Sequence, residues 1–129
     1  MPETNIDPDV RIEAASFTAD GVYVVRDLDG RPLSWTFNGT LPGLGFGGGT
    51  IAVEATNLSA ADTGLSGGDW SADTGNGIWE PVMAEDAPIL ITGSATGWID
   101  APFRFVRFRL SGSSEPSILG RVLAGVRGL

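Results

Sequence analysis

Histidine, cysteine and lysine are all missing from the 129 residues, and each absence closes off a kind of chemistry. Without histidine the chain lacks the side chain that titrates near neutrality and most often serves as general base or metal ligand. Without cysteine it has no thiolate nucleophile and no disulfide, and its redox compartment is left undetermined. Without lysine every cation is an arginine. Long apolar runs are missing too: Ile89-Leu90-Ile91 falls far short of the roughly 20 residues a membrane-spanning helix needs. The opening Met1-Pro2-Glu3-Thr4-Asn5-Ile6-Asp7-Pro8-Asp9 is acidic and has neither the cationic start nor the apolar middle of a secretory signal, so synthesis in the cytoplasm is expected. Positive charge is scarce, with 8 arginines against 16 acids and a net charge of −8. A field of that sign repels phosphate backbones and anionic headgroups, so neither nucleic acid nor membrane is an expected partner.

What is present is glycine, 19 residues of it, with 8 prolines and 42% hydrophobic content. Glycine and proline interrupt elements and supply turn geometries, while the apolar share is enough to offset ordering entropy. The length suits one domain. Residues 1–9 are expected to form an extended N-terminal arm, because two prolines among acids disfavour helix. Residues 10–129 then form a single β-sandwich.

Short strands with turn signals between them carry that expectation. Val10-Arg11-Ile12-Glu13-Ala14 alternates with period two. Val22-Tyr23-Val24-Val25-Arg26 is β-branched and aromatic and runs toward the Asp29-Gly30 turn. Leu33, Trp35 and Phe37 share one face of the next strand. The segment 41–49 holds five glycines and a proline and reads as a connection between strands, with Phe46 inside it. In 50–56, Ile51, Val53 and Ala55 face inward and Thr50, Ala52, Glu54 and Thr56 outward. Further strands are expected at 78–84, 88–92 and 103–111, and at 117–126, where strand is favoured over a short helix because two glycines weaken a helix. The phase of Phe103-Arg104-Phe105-Val106-Arg107-Phe108-Arg109-Leu110 is imperfect, which predicts a bulge or a change of sheet. Seven or eight antiparallel strands in a sandwich, jelly-roll or immunoglobulin-like, is the all-β fold class this pattern specifies. Residues 57–77 exceed the usual loop length and form an insertion anchored by Leu58, Leu65 and Trp70.

The pattern is similar to the small β-sandwich virion proteins of tailed bacteriophages. The resemblance rests on Phe17 to Tyr23, on Gly47 to Glu54, on a tryptophan loop, and on Phe103-Arg104-Phe105-Val106-Arg107-Phe108 with a closing apolar strand. The long insertion with Trp70 inside and Trp79 just after departs from that pattern, in which a short turn leads to the tryptophan. The resemblance implies decoration of capsids or a place in fibres and tails, with assembly as trimers or other symmetric homo-oligomers.

Carboxylate pairs for glycoside hydrolysis could come only from Asp62, Asp69, Asp73, Glu80, Glu85 and Asp86. Nothing in their spacing selects a pair, and exposed acids are the norm. Asp69-Trp70-Ser71-Ala72-Asp73-Thr74-Gly75-Asn76-Gly77 offers oxygen ligands for calcium, but it lacks the EF-hand order and its closing glutamate, so a plain loop is favoured. No catalytic residues, no metal and no cofactor are therefore expected. Core packing is the expectation for Trp35, whereas Trp70, Trp79 and Trp98, with Phe46, are candidate interface or sugar-stacking residues. Arg104, Arg107 and Arg109 are candidates for ion pairs across a subunit interface or for simple charges on a strand. The expected function is a non-enzymatic virion structural protein, a capsid decoration protein bound to the major capsid protein or other virion proteins. A carbohydrate-binding module of a tail or fibre, and a tail or neck connector, are the alternatives.

Overall fold

The computed structural model describes residues 11–26, 28, 31–40, 45–74, 77–100 and 103–124. The expected N-terminal arm and the Asp29-Gly30 turn lie outside the described residues. In chain order the elements are β1 (Arg11–Ala14), β2 (Gly21–Val25), β3 (Leu33–Gly39), β4 (Thr50–Thr56), α1 (Ala60–Thr63), α2 (Gly67–Ala72), β5 (Glu80–Pro81), β6 (Met83–Ala84), β7 (Ala87–Pro88), β8 (Leu90–Ile91), β9 (Ala95–Ile99), β10 (Phe105–Ser111) and β11 (Ile118–Ala124).

The pairings are nested. β4 pairs with β8, β3 with β9, β2 with β10 and β1 with β11, all antiparallel. This is one long hairpin, and rolling it up adds two further contacts, β10 on β4 and β11 on β3. Two sheets result: sheet 1 in the order β1-β11-β3-β9, and sheet 2 in the order β2-β10-β4, with β5 and β8 both on the far side of β4. Connections between the main strands pass from one sheet to the other everywhere except β4 to β8. The all-β sandwich expected from the pattern is thus a jelly roll, and the immunoglobulin-like alternative is set aside by strand order.

Each inner face is the period-two set of an alternating strand. Leu33, Trp35, Phe37, Ile118, Val122 and Ala124 from sheet 1 meet Ile51, Val53, Val106, Phe108 and Leu110 from sheet 2, all nearly inaccessible. Edge-on aromatic packing joins the sheets, with the Phe108 ring 5.1 Å from Phe37 and 5.5 Å from Trp35. Phe46, a candidate interface residue, belongs to this core. Gly120 lets the sheet close on it, since a Cβ there would fall 2.2 Å from the Ala15 carbonyl and 2.7 Å from the Phe37 ring.

Three expectations are corrected. Among the described residues there are eleven strands, because the runs at 78–84 and 88–92 each break into two-residue pieces. Pro81 and Pro88 cannot donate to a ladder, and residues 83–88 leave the sheet as their own hairpin. A strand the pattern did not predict, β9, forms at 95–99. Finally β10 needs no bulge: it pairs residue for residue with β4 from Phe105↔Thr56 to Ser111↔Thr50.

Candidate interaction surface

The two sheets differ in what covers their outer faces. On sheet 2 that face carries Val24, Phe105, Arg107, Arg109 and Glu54, placed together by the register Val24↔Arg107↔Glu54. The 57–77 insertion folds back over it. Ser59 caps α1, with Asp62 reaching back to the Ser59 backbone in a reciprocal capping box, and Ser66 caps α2. These short helices set Trp70 onto the sheet, where it is 1% exposed. Its ring lies 5.1 Å from Trp79 and 5.0 Å from Phe105. Both indoles are satisfied: Trp70 Nε1 donates to the Leu58 carbonyl at 2.9 Å, and Trp79 Nε1 to the Trp70 carbonyl at 2.8 Å. Of the three expected anchors only Trp70 is buried, while Leu58 and Leu65 are exposed.

Arg107 ties the insertion down. Its side chain is 1% exposed, and Nε donates to Glu54 Oε1 at 2.8 Å. Nη1 and Nη2 donate to the carbonyls of Ser71 and Asp73, and the guanidinium stacks 4.7 Å from the Trp79 ring centre. Arg109 grips the same carboxylate with Nε at 3.1 Å and Nη2 at 3.0 Å. Burial pushes the Glu54 carboxyl up, but the hydrogen bonds from Arg109 and Arg107 outweigh it and hold the group below its ordinary value of 4.5. Burial likewise pulls Arg107 down, and its bond to Glu54 opposes that. Glu54 and Thr56, read from sequence as outward, are therefore buried beneath the insertion. Arg104, on the rim, meets Asp62 of the same chain at 3.5 Å. Trp70, Trp79, Phe46, Arg107 and Arg109 are thus engaged inside the chain. Of the loop weighed for calcium, Gly75 and Asn76 lie outside the described residues; Asp69 accepts from Ser66 Oγ, and among the described residues no group of three or more His, Cys, Asp or Glu could hold a metal.

Sheet 1 presents the opposite case. Cross-strand register lines up Ile12, Leu123, Ser34 and Trp98 in one row, and Ala14, Arg121, Thr36 and Thr96 in the next. Trp98 is 71% exposed and Ile12 74%, with Leu119 further along the same side of β11. Around them are hydroxyls and an amide: Thr36 and Thr96 share a hydrogen bond of 3.0 Å, and Ser94 donates to Asn38 at 3.0 Å. Among the described residues of these four strands, no acid points outward on this side, although the chain carries 16. Of the four tryptophans, all described, Trp98 is the exposed one.

β1 explains the exposure of Ile12. Its charged residues turn toward the open side of the sandwich, where Glu13 accepts from the Tyr23 hydroxyl and Arg11 donates to the Arg26 carbonyl. That leaves its apolar set facing out. A cleft of about 620 Å³ lined by Arg11, Ile12, Glu13, Tyr23, Val24 and Arg26 opens there. Burial, then the bond to Glu13, push the Tyr23 phenol up to about 12. Composition signals only that tryptophans exist; which of them is covered depends on where the insertion lands. The Ser59-x-x-Asp62 and Ser66-x-x-Asp69 spacings were the available clue to the capped turns that carry it. No family model, curated protein or solved structure matches this chain.

Proposed function

We propose that this chain is a non-enzymatic structural protein of a tailed-phage particle, a decoration protein that binds the outside of the capsid and stabilises it. The observation that carries the reading is the open outer face of sheet 1. A chain of net charge −8 keeps acids off one sheet face and sets Trp98, Leu123 and Ile12 across it in a row, which is the composition of a surface made to be covered. Sheet 2, whose outer face the insertion covers over Glu54, Phe105 and Arg107, supplies a rigid body behind it. Attachment adds contacts that must break before the shell can, and burial of about 1,200–2,000 Å² suffices for a stable contact. The acids elsewhere keep the remaining surface soluble. The resemblance to phage β-sandwich proteins supports the same reading.

The test is co-sedimentation with shells assembled from the major capsid protein of the same genome. Pelleting at a fixed ratio, weakened at least about tenfold by Ile12→Glu, corresponding to roughly 1.4 kcal/mol, is the expected outcome. Failure to pellet at any concentration would sink the proposal. A second reading, a carbohydrate-binding module, is favoured by one observation: Trp98 stands exposed beside Ser34, Thr36, Thr96 and Ser94, an aromatic platform edged with hydroxyls. A glycan that shifts Trp98 fluorescence would favour it.

A further inference from the structure

We infer that two copies of this chain pair edge to edge through β9, antiparallel about a two-fold axis at Gly97, making one continuous eight-stranded sheet from the two copies of sheet 1. The inference stands apart from the capsid reading, since it concerns the protein alone.

A strand at the end of a sheet presents unpaired N–H and C=O groups, and proteins blunt such edges with charge, proline, shortness or a cover. The sheet edges here are treated unequally. β1 carries Arg11 and Glu13. β5 and β8 are two residues each. β2 is flanked by β1, whose Arg11 and Glu13 reach across to Arg26 and Tyr23, and Arg26 in turn stacks on Trp70 of α2. β9, Ala95-Thr96-Gly97-Trp98-Ile99, is five residues long with no charge and no proline. Among the described residues no strand lies on its far side.

The occupant follows from charge and symmetry. A second copy is as acidic as the first, so two copies meet with least repulsion across a surface without outward acids, and β9 with the face beside it is such a surface among the described residues. Gly97 is the middle residue of the strand, and an axis there pairs all five: Gly97 with itself, Trp98 with Thr96 of the second copy, Ile99 with Ala95 of the second copy. The row Ile12, Leu123, Ser34, Trp98 then runs on into Thr96, Thr36, Arg121 and Ala14 of the other copy. Each indole lies over the threonine methyls across the seam, a cross-strand pairing at about 4.5–5.5 Å between Cβ atoms. Asp100, the nearest acid along the strand, falls opposite Ser94 of the second copy. Gly97 holds the strand in place for this, because a Cβ there would meet the Trp35 ring at 2.7 Å, so β9 is pressed onto the core without a side chain at the axis.

Light scattering of the full chain over rising concentration tests it. The expected mass climbs from 13.4 kDa to twice that value. Trp98→Glu sets a carboxylate on each side of the axis and should raise the dissociation constant at least about tenfold, roughly 1.4 kcal/mol, with the far-ultraviolet spectrum unchanged. Ile12→Glu makes the same charge change on the same face, three strands from the seam, and should leave the mass curve unmoved. Hydrogen exchange on the unaltered protein provides a readout independent of any variant: amides of 95–99 should gain protection as concentration rises. A monomer throughout would overturn the inference and leave Trp98 to the glycan reading. A trimer would overturn the two-fold. Equal loss in both variants would move the contact from the edge to the whole face and overturn it as well.

Discussion

Arg107 shows how much one side chain can organise. Its donors are divided between a carboxylate on the neighbouring strand and two carbonyls of the insertion, so removing it strands acceptors on both sides of a buried seam. Breaking one partner out of a buried pair costs about 3–5 kcal/mol, because the charge left behind is uncompensated. Here Arg109 still holds Glu54, which places Arg107→Ala near the lower end. The expected result is a urea midpoint shifted by about 3 kcal/mol of stability, with red-shifted fluorescence from Trp70 and Trp79. The same cluster sets a pH dependence. Glu54 has its folded pKa below its ordinary value of 4.5, so its contribution is fully present above that value and fades as pH falls through the lowered folded pKa. Thermal melts should therefore lose stability on acidification below about pH 4.5, and Glu54→Gln should flatten that loss while lowering stability at neutral pH. Tyr23 works at the other end. Its phenol, raised to about 12 from 10.0, adds stability that is intact below pH 10 and lost as pH rises toward 12. In Tyr23→Phe the decline between those values should be smaller.

At the scale of elements, the insertion is a lid built from two capped turns and Trp70, which packs on Trp79 just after it. It covers one sheet face and leaves the jelly-roll core untouched, so its loss and the loss of the core are separable. Trp70→Ala should cost about 3–5 kcal/mol and abolish the near-ultraviolet signal of the Trp70–Trp79 pair, while the β spectrum persists. Gly120→Ala tests the other layer: its Cβ would collide with the Ala15 carbonyl, which is backbone and cannot swing away. Overpacking of that kind costs about 1–3 kcal/mol, read as a lower melting temperature with the tryptophan pair still in place until the cooperative transition. Both elements were partly legible. Alternation identified β3 and β4, and near-alternation β10, because each buries one full period-two set, whereas β11 was legible as strand through two glycines that weaken a helix. β9 escaped because Gly97 and Trp98 break the pattern: its inward position is empty to make room for Trp35, and its aromatic residue points out.

The whole molecule is polarised. One sheet is covered by its own chain over Glu54, Phe105 and Arg107, and the other is left open and free of outward acids among the described residues, while the net charge remains −8. Association through the open side brings two acidic bodies together, so the long-range term opposes it and the short-range term favours it. Raising ionic strength from about 0.01 M to about 1 M shrinks the Debye length from roughly 30 Å to roughly 3 Å and should strengthen self-association, measured as a falling dissociation constant in sedimentation equilibrium. A contact driven by Arg–carboxylate pairs between copies would weaken instead, so the direction of the salt effect decides between them.

Composition and period-two patterning were enough by themselves to determine an all-β sandwich, its inner faces at Leu33, Trp35 and Phe37 and at Ile51, Val53 and Ala55, and the long insertion, because these depend on neighbours along the strand. Only the tertiary structure decided which aromatic and charged residues remain available. Trp70 and Trp98 look alike in sequence, each among glycine, serine and threonine, yet one is sealed and the other open. The difference is that the insertion returns across sheet 2, and Arg107, two strand positions from Phe105, supplies the donors that hold it there. Burial of a side chain is set by what lands on it from far along the chain, and no local pattern encodes that.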